Sequence, residues 1–565
     1  MSTQGDASTI PLGGPRVSER LAAPGWLSAR RNAAESASLQ DSTLAGAIAL
    51  SAIVAVSLLL VLMVANRPSL LSATTHTGYF PRWMAGPLGG LLSGFTNDGT
   101  TLKDLFTAGI VLMYASYLVA LKHASRLPVR WLVAAILAAH AIFFLSPPLA
   151  LTDVFNYVNY ARMEVVHNLN PYTTIPILEP HNDPSFLLSN WHQLLSPYGP
   201  LFTLVTFAVV PFGVAFSFWA IKAIIMIASL TSIFLVSRCA RLLGRDPRAA
   251  VAFFGLNPLV LVWGLGGDHN DFLMLLCLMT GFYLLLRARA VGMVSAGAAV
   301  NGSAGAAANG SAGAANGGAR TRITQVDSPA SLRGWLLPLS PVEMGAGAAF
   351  VAAAGFKASG AILIPVVLAF LLRAPRALTQ MVLGMLVAVV LLGAASLLAF
   401  GVHFPNLSSQ DSLVTAESIP NLLGLALGLG GESAGLRIGF SVLLVLLVGL
   451  CCWRAWSRRW FALGPERALQ PAGSGGDTLV TAAGWASVAL LVTLSWILPW
   501  YVLWVLPFAA LSSSRRLRAA SVALAVYLIL TWAPASGLLT GALHFYPEKT
   551  PLARLHHRFV GQLLH

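Results

Sequence analysis

The chain has 565 residues, of which 56% are hydrophobic and only 10% are charged, and its formal net charge is +14 at pH 7. Soluble globular proteins have about a quarter of their residues charged, so this composition excludes an ordinary soluble protein. The basic residues occur in short clusters between apolar runs, which is typical of the cytoplasmic loops of membrane proteins and argues against a nucleic-acid partner.

Residues 1–43, rich in Ser, Ala, Gly and Arg, are predicted to form a disordered cytoplasmic tail. Apolar runs long enough to cross a bilayer as helices follow this tail. The clear runs are 44–65, 105–121, 131–149, 215–237, 249–265, 271–288, 377–400, 437–456, 478–498 and 519–541, and shorter pieces lie near 344–372 and 500–514. They predict an all-α polytopic membrane protein.

The distribution of Lys and Arg predicts the orientation, because these residues accumulate on the cytoplasmic side. Basic clusters precede the first run and separate the second from the third, so the N-terminus is cytoplasmic and the loop 150–214 lies outside. The arginines from 238 to 248 return to the cytoplasm only if 199–213 lies along the outer interface. With a hairpin turning near Lys357, the count is about 13 transmembrane helices.

The runs divide the chain into two membrane halves. The first covers residues 44–290 and includes the outer loop 150–214, and the second covers 335–541. Between them, residues 291–334 contain the tract NGSAGAAANGSAGAANGG, whose composition predicts a flexible cytoplasmic linker. Residues 542–565 are predicted to form a periplasmic tail.

Polar residues collect on the predicted outer face. Asp153 follows the third run directly, the run 249–265 ends in Gly-Gly-Asp268-His269-Asn270-Asp271, and Lys357 is a lone cation within an apolar stretch. Charged groups at membrane depth are costly and are commonly functional. Structural alternatives remain open: Asp153 as a helix cap, the Asp268–Asp271 segment as a solvated turn, and Lys357 as a snorkelling side chain.

Other residues have a less specific pattern. Trp500 and Tyr501 fit an aromatic belt at the membrane interface or a surface for a sugar or prenyl chain. His140 and Lys222, each alone within a span, are interpreted as structural or snorkelling. Neither a Gly-rich nucleotide-binding motif nor a Ser/His/Asp hydrolase signature occurs in the sequence, and the four cysteines lack metal-type or disulfide-type spacing.

The order of these motifs resembles the GT-C glycosyltransferases, membrane enzymes that take a sugar from a polyprenyl-phosphate donor. The resemblance runs from about residue 130 to 505. It is carried by the motifs Asp153-x3-Tyr157-x2-Tyr160, Asn170-Pro171-Tyr172, Tyr198-Gly199-Pro200-Leu201, Asn257-Pro258-Leu259, Trp263-Gly264-x-Gly266-Gly267-Asp268-His269-Asn270-Asp271 and Pro499-Trp500-Tyr501-x2-Trp504. Within this fold, the chain is most similar to bacterial polyprenol-phosphate-mannose-dependent α-1,6-mannosyltransferases of lipomannan synthesis.

The resemblance implies a GT-C-like bundle with periplasmic interfacial helices in the first large outer loop. It also implies inverting transfer of mannose from polyprenyl-phosphate-mannose to a growing α-1,6-mannan, on the periplasmic face of a bacterial inner membrane. Asp153 would be the catalytic base. Donor phosphate would bind Lys357, Arg162 and His269, and sugar or acceptor would bind Tyr157, Tyr172, Asp268, Asp271, Tyr198, Trp500 and Tyr501.

Three questions stay open at this point. Sister enzymes that form α-1,2-mannosyl or arabinosyl linkages share most of these features, and a lipid-linked-sugar flippase or a catalytically inactive scaffold would also be a polytopic membrane protein. Asp153-Val154-Phe155 replaces the Asp-x-Asp of many eukaryotic relatives. The sequence therefore leaves the need for a divalent cation undecided.

Overall fold

The structure is a computed structural model that describes residues 25–65, 81–92, 98–149, 153–310, 339–406, 413–457, 475–546 and 554. Every regular element in these ranges is helical, as predicted. The α-helices are α1 (Gly25–Ala65), α2 (Arg82–Ala85), α3 (Gly99–His123), α4 (Val129–Phe144), α5 (Asp153–His167), α6 (Pro184–Leu188), α7 (Pro200–Phe207), α8 (Val214–Leu242), α9 (Pro247–Gly255), α10 (Asp271–Gly310), α11 (Pro341–Phe356), α12 (Ile364–Leu371), α13 (Pro375–Phe400), α14 (Ile419–Ala426), α15 (Ala434–Ser457), α16 (Gly475–Thr493), α17 (Leu506–Leu511), α18 (Arg515–Trp532) and α19 (Ser536–Ala542).

Seven helices in the described ranges are long and apolar enough to cross a membrane. They are Asp41–Ala65, Gly99–Arg126, Val214–Leu242, Asp271–Ala290, Pro375–Phe400, Ala434–Ser457 and Gly475–Thr493. Two bent pairs raise the number to nine if each pair crosses as one span. The chain is therefore built as a membrane protein, because such helices satisfy their backbone hydrogen bonds internally.

Shorter apolar helices occupy several of the other predicted spans and the predicted interfacial segment 199–213. They are Val129–Phe144, Pro200–Phe212, Pro341–Phe356, Ala358–Leu371 and Pro499–Leu511. The count of about 13 spans depends on these shorter pieces and remains a prediction. The predicted span 519–541 is one of the bent pairs, with a bend of 87° between α18 and α19. Pro534 lies at this bend, where it cannot continue the hydrogen-bond ladder of a helix.

Two helices extend into segments that composition predicted to be irregular. Helix α1 begins at Gly25, inside the predicted tail 1–43, and α10 continues to Gly310, inside the predicted linker 291–334. Both extensions continue a membrane helix that is already nucleated, so no new nucleation is needed. The rest of the predicted tail and linker, and residues 547–553 and 555–565 of the predicted C-terminal tail, lie outside the described residues.

The remaining bent span leads directly to the polar turn. Helix α9 is followed by a π-helical segment, Leu259–Leu265, at an angle of 48°. Pro258 has no amide hydrogen, and the Asn257 side chain accepts a hydrogen bond from the Leu259 amide at 3.0 Å. The segment ends in the turn 266–270, where the Leu149 amide donates to the Gly266 carbonyl at 2.8 Å. The ends of α4 and of the π-helical segment are therefore fixed together, beside the starts of α5 and α10.

Candidate functional site

Three acidic residues that are distant in sequence meet at one end of the helical bundle. Asp153 begins α5, Asp268 lies in the turn 266–270 and Asp271 begins α10. The Asp153 Oδ2 atom lies 3.3 Å from His269 Nδ1. Lys357, between α11 and the 3₁₀ segment Ala358–Leu363, contacts Asp271. The predicted proximity of Asp153, the polar turn and Lys357 is thus present in the structure.

The backbone of the turn is tightly constrained. Asp268 has a φ of +57°, a left-handed conformation that is uncommon for residues other than glycine. A Cβ atom at Gly267 would lie 2.2 Å from the Trp263 carbonyl oxygen and 2.6 Å from His269 Nε2. Only glycine fits here without displacing the backbone or the imidazole, so this residue permits the close packing of His269.

Asp268 forms a buried ion pair with Lys222 of α8. The Lys222 ammonium donates to both carboxylate oxygens at 2.8 and 3.0 Å, and the two side chains are only 1% and 2% exposed. Burial raises the pKa of Asp268 to about 6, although the Lys222 charge opposes this rise. The bidentate contact with Lys222 fixes the turn to α8.

Asp271 forms a second ion pair, with Lys357. The ammonium donates to both carboxylate oxygens at 2.9 and 2.8 Å, and the Trp504 indole nitrogen donates to Oδ1 at 2.6 Å. The ammonium also lies 5.0 Å from the Tyr501 ring centre and 5.4 Å from that of Trp504, distances at which aromatic faces attract cations. Asp271 is fully buried, whereas the Lys357 side chain is 25% exposed.

His269 lies between the acidic groups and is stacked on Trp500. The two ring centres are 3.5 Å apart with an interplanar angle of 11°. Neither imidazole nitrogen makes a hydrogen bond of good geometry within the described part of the chain. Asp153 is 15% exposed. The site therefore presents one accessible carboxylate next to a buried imidazole whose polar atoms are available.

Tyrosines of the outer loop line the other side of Asp153. The Tyr157 hydroxyl accepts a hydrogen bond from the Asn270 amide at 3.3 Å, and its ring packs edge-on against Tyr198 at 4.7 Å. Burial, helped by the charges of Asp153 and Asp271, raises the pKa of Tyr157 well above its usual value. The phenol thus stays protonated. Tyr172 lies further along, where its hydroxyl donates to the Tyr198 carbonyl at 3.0 Å.

The outer loop also touches the segment that carries Lys357. A Cβ atom at Gly199 would lie 2.1 Å from the Gly355 carbonyl oxygen and 3.0 Å from the Phe356 carbonyl carbon. The two backbones are therefore in direct contact just before Lys357. This contact requires glycine at position 199.

Arg162 is not part of this cluster. It forms a bidentate interaction with Asp183, with nitrogen–oxygen distances from 2.9 to 3.1 Å, and His167 lies 2.7 Å from the same carboxylate. Burial raises the pKa of Asp183, but hydrogen bonds, led by that from Arg162, outweigh it and hold the pKa well below its usual range. Arg162 follows Asp153 by more than two helical turns, roughly 13 Å along the axis. The structure places this predicted phosphate ligand within the fold of the outer loop.

Two residues of the cluster were not predicted as site residues. The sequence favours a structural or snorkelling interpretation of Lys222, and it contains Trp504 only as the last residue of the motif Pro499-Trp500-Tyr501-x2-Trp504. A lysine inside a predicted span signals a buried acidic partner, since an isolated charge there is very costly. The other lone residue, His140, bonds Ser229 at 2.9 Å and the Ile136 carbonyl at 2.8 Å, which agrees with its structural interpretation.

The acidic residues do not fit a divalent-cation site. Within the residues that the structure describes, no group of three or more His, Cys, Asp or Glu side chains could hold a metal ion. Asp268 and Asp271 each already face a lysine ammonium. Their negative charge is therefore balanced by the protein itself.

The sequence model of a family described as "Alpha-(1->6)-mannopyranosyltransferase, N-terminal domain" matches residues 69–373, more than half of the chain. This region contains Asp153, the turn and Lys357, whereas Trp500 and Trp504 lie beyond it. No solved structure matches the chain significantly.

Three curated relatives have similar names. Alpha-(1->6)-mannopyranosyltransferase A of Mycobacterium tuberculosis is 29% identical over 158 residues, 27% of this chain and 30% of the relative. The protein of that name in Corynebacterium glutamicum is 27% identical over 154 residues, 26% of this chain and 31% of the relative. A probable alpha-(1->6)-mannopyranosyltransferase of Mycolicibacterium smegmatis is 27% identical over 149 residues, 25% of this chain and 26% of the relative.

These alignments span less than a third of each curated relative. The family match is longer and covers the whole segment from the outer loop to the residues after Lys357. On that match, the chain belongs to the Alpha-(1->6)-mannopyranosyltransferase family defined by this N-terminal domain.

Proposed function

We propose that the chain is an inverting mannosyltransferase. It transfers mannose from polyprenyl-phosphate-mannose to a growing α-1,6-mannan of the lipomannan type, at the periplasmic face of a bacterial inner membrane. The observation that carries this proposal is the accessible Asp153 carboxylate beside His269, with the partly exposed Lys357 ammonium paired to Asp271 directly after the turn 266–270. Membership of the mannopyranosyltransferase family supports the choice of sugar.

Asp153 has the properties of a general base. It is accessible, and it lies next to an imidazole that is fixed by stacking on Trp500. In the proposed reaction, the carboxylate removes the proton of an acceptor hydroxyl as that oxygen attacks C1 of the mannose. The bond between C1 and the phosphate oxygen breaks, and its electron pair leaves with the polyprenyl phosphate. A single displacement of this kind inverts the configuration at C1.

Lys357 has the properties of a ligand for the departing phosphate. Its ammonium is held by Asp271 and two aromatic faces, but a quarter of the side chain remains exposed. A fixed cation at the position where negative charge develops lowers the barrier without reorganisation of solvent. His269 was predicted as a further phosphate ligand, but its side chain is only 1% exposed, and we propose instead that it orients Asp153, whose Oδ2 atom lies 3.3 Å from His269 Nδ1.

The membrane architecture agrees with a lipid-linked donor. Nucleotide sugars are cytoplasmic, so transfer on the outer face requires a donor that crosses the bilayer on a lipid. The exposed surface of the membrane helices offers apolar contact for a prenyl chain, and Trp500 and Tyr501 lie next to Lys357 and His269. These aromatic residues are proposed to line the path of the prenyl or sugar group.

The test uses the purified full-length protein in lipid nanodiscs with labelled polyprenyl-phosphate-mannose and a short α-1,6-mannoside. We expect a product whose new linkage is α-1,6. Transfer of another sugar or formation of another linkage would indicate a sister enzyme, and movement of the donor across vesicles without transfer would indicate a flippase.

The key variant is Asp153→Asn, which removes the base while keeping the shape of the side chain. We expect transfer to fall by about 10²–10⁴-fold, since general base catalysis supplies an acceleration of this size. Asp98→Asn is the matched control, because Asp98 caps α3 and asparagine is an equally good cap. Its activity should equal that of the wild type. Retention of most of the activity by Asp153→Asn would remove Asp153 as the base.

A further inference from the structure

A cavity opens at the opposite end of the bundle from Asp153, between α8 and α10. Its volume is about 420 Å³, and it is lined by Arg238, Arg241, Leu242, Tyr283 and Arg287. Lys222 on α8 and Asp271 on α10 mark the end that holds the candidate site. Arg238 and Arg287 each lie about 24 Å further along these helices. This distance is close to the roughly 30 Å thickness of the hydrocarbon core, so the cavity belongs to the other membrane surface.

The arginines of this cavity differ from their neighbours. Arg245 pairs with Asp477 at 2.9 Å and Arg248 pairs with Asp246 at 3.4 Å. In contrast, within the described ranges, neither Arg238, Arg241 nor Arg287 lies within ion-pair distance of a carboxylate. The last turn of a helix and the cytoplasmic surface both favour basic residues. However, these preferences do not explain why arginines from two helices meet at one concave site.

The surface next to the cavity is apolar. Phe234 lies one turn before Arg238 on α8 and is 58% exposed, and Ile227 lies two turns before Phe234 and is equally exposed. The Arg238 guanidinium lies 6.0 Å from the Phe234 ring centre. A ligand that fills the cavity can therefore extend an apolar chain along this stripe of α8, which a free phosphate ion could not use.

We propose that the cavity binds the phosphate group of an anionic membrane lipid. The guanidinium groups surround the phosphodiester, for which their planar forks are suited, and the Tyr283 hydroxyl is a further donor. The acyl chains lie against Ile227 and Phe234. Basic pockets between membrane helices are a common form of lipid headgroup site. This site is separate from the proposed transfer reaction and does not depend on it.

The experiment measures retained lipid by native mass spectrometry. Full-length protein is reconstituted in nanodiscs of phosphatidylcholine with and without phosphatidylglycerol. We expect retained phosphatidylglycerol on the wild type, and on the order of 10²-fold weaker retention when Arg238→Gln, Arg241→Gln and Arg287→Gln are combined. The matched control combines Lys122→Gln, Arg126→Gln and Arg130→Gln, three exposed cations at the same end of the bundle. It should retain lipid as the wild type does.

Two further arms keep the test decisive. A variant that combines Arg238→Lys, Arg241→Lys and Arg287→Lys keeps the three charges but loses the planar guanidinium groups, so we expect it to retain an intermediate amount of lipid. Because it keeps the charges, this variant should fold even if the Gln variant does not. Inorganic phosphate is added as a competitor to distinguish a lipid headgroup from a free ion. Equal losses in the cavity variant and the control, or saturable binding of inorganic phosphate without lipid binding, would overturn the proposal.

Discussion

The two ion pairs on either side of His269 have the same chemistry and different surroundings. Asp268 and Lys222 are both closed off from solvent, whereas Asp271 is buried and Lys357 is a quarter exposed. A cation that is fully enclosed with its partner cannot reach a substrate. A cation with one open side can keep its carboxylate and still contact a phosphate. We therefore expect Lys222 to maintain the turn and Lys357 to remain accessible to a phosphate.

The largest expected effect on activity among the cations is at Lys357. Lys357→Gln should lower the rate of transfer by about 10²–10³-fold, the usual loss on removal of one group that stabilises the charge of the transition state. Lys357→Arg should recover part of this rate, because it restores the charge. Single-turnover rates with labelled donor measure the effect. A Gln variant with wild-type rates would end the proposed distinction between the two lysines.

Lys222 should act mainly on stability. Lys222→Met leaves the Asp268 carboxylate buried without its partner, and such a break costs about 3–5 kcal/mol. Adding Asp268→Asn removes the stranded charge and should restore most of the stability. Thermal unfolding of the protein in detergent tests both variants. If Lys222→Met were as stable as the wild type and inactive, Lys222 would have a direct role in the chemistry.

Trp504 should have a smaller effect, since it acts on Lys357 through Asp271. Trp504→Phe removes the indole hydrogen bond of 2.6 Å to the carboxylate. Asp271 then holds the ammonium more strongly, and we expect roughly tenfold weaker donor binding, near the lower end for a hydrogen bond to a charged group. The KM for donor measures this change. The control is Trp131→Phe, a change at an exposed position of α4, and it should leave KM unaltered.

Glu179 is a buried carboxylate that forms no ion pair with a lysine in the described residues. We expect its replacement to change only the pH dependence of stability. Neither of its oxygens makes a hydrogen bond of good geometry in the described residues, and burial raises its pKa to about 8 although Asn159 opposes the rise. The folded state therefore binds the proton more tightly than the unfolded state, and the contribution of Glu179 to stability falls from its unfolded pKa of about 4.5 up to about 8. Glu179→Gln should remove this fall, measured by thermal unfolding across that range.

Much of the site could be predicted from the order of apolar runs and basic clusters. Those patterns placed Asp153, the polar turn and Lys357 on one face, and the structure brings them together. The partnership of Lys222 with Asp268 joins two spans whose relative rotation the sequence does not reveal. The family resemblance implied that Arg162 binds phosphate, but its partner Asp183 comes from an irregular part of the loop. The hydrophobic periodicity of the sequence does not predict side-chain contacts that depend on an irregular backbone.

The contact between Gly199 and Gly355 makes the loop and the cation mechanically dependent on each other. The backbones at Gly199 and Gly355 touch with no side chain between them. No side-chain rearrangement can therefore absorb a displacement of either segment. Any shift of the loop entrance is passed to the peptide units immediately before Lys357. In the proposed reaction, an acceptor bound against Tyr198 would therefore press on the backbone next to Lys357 through this one contact.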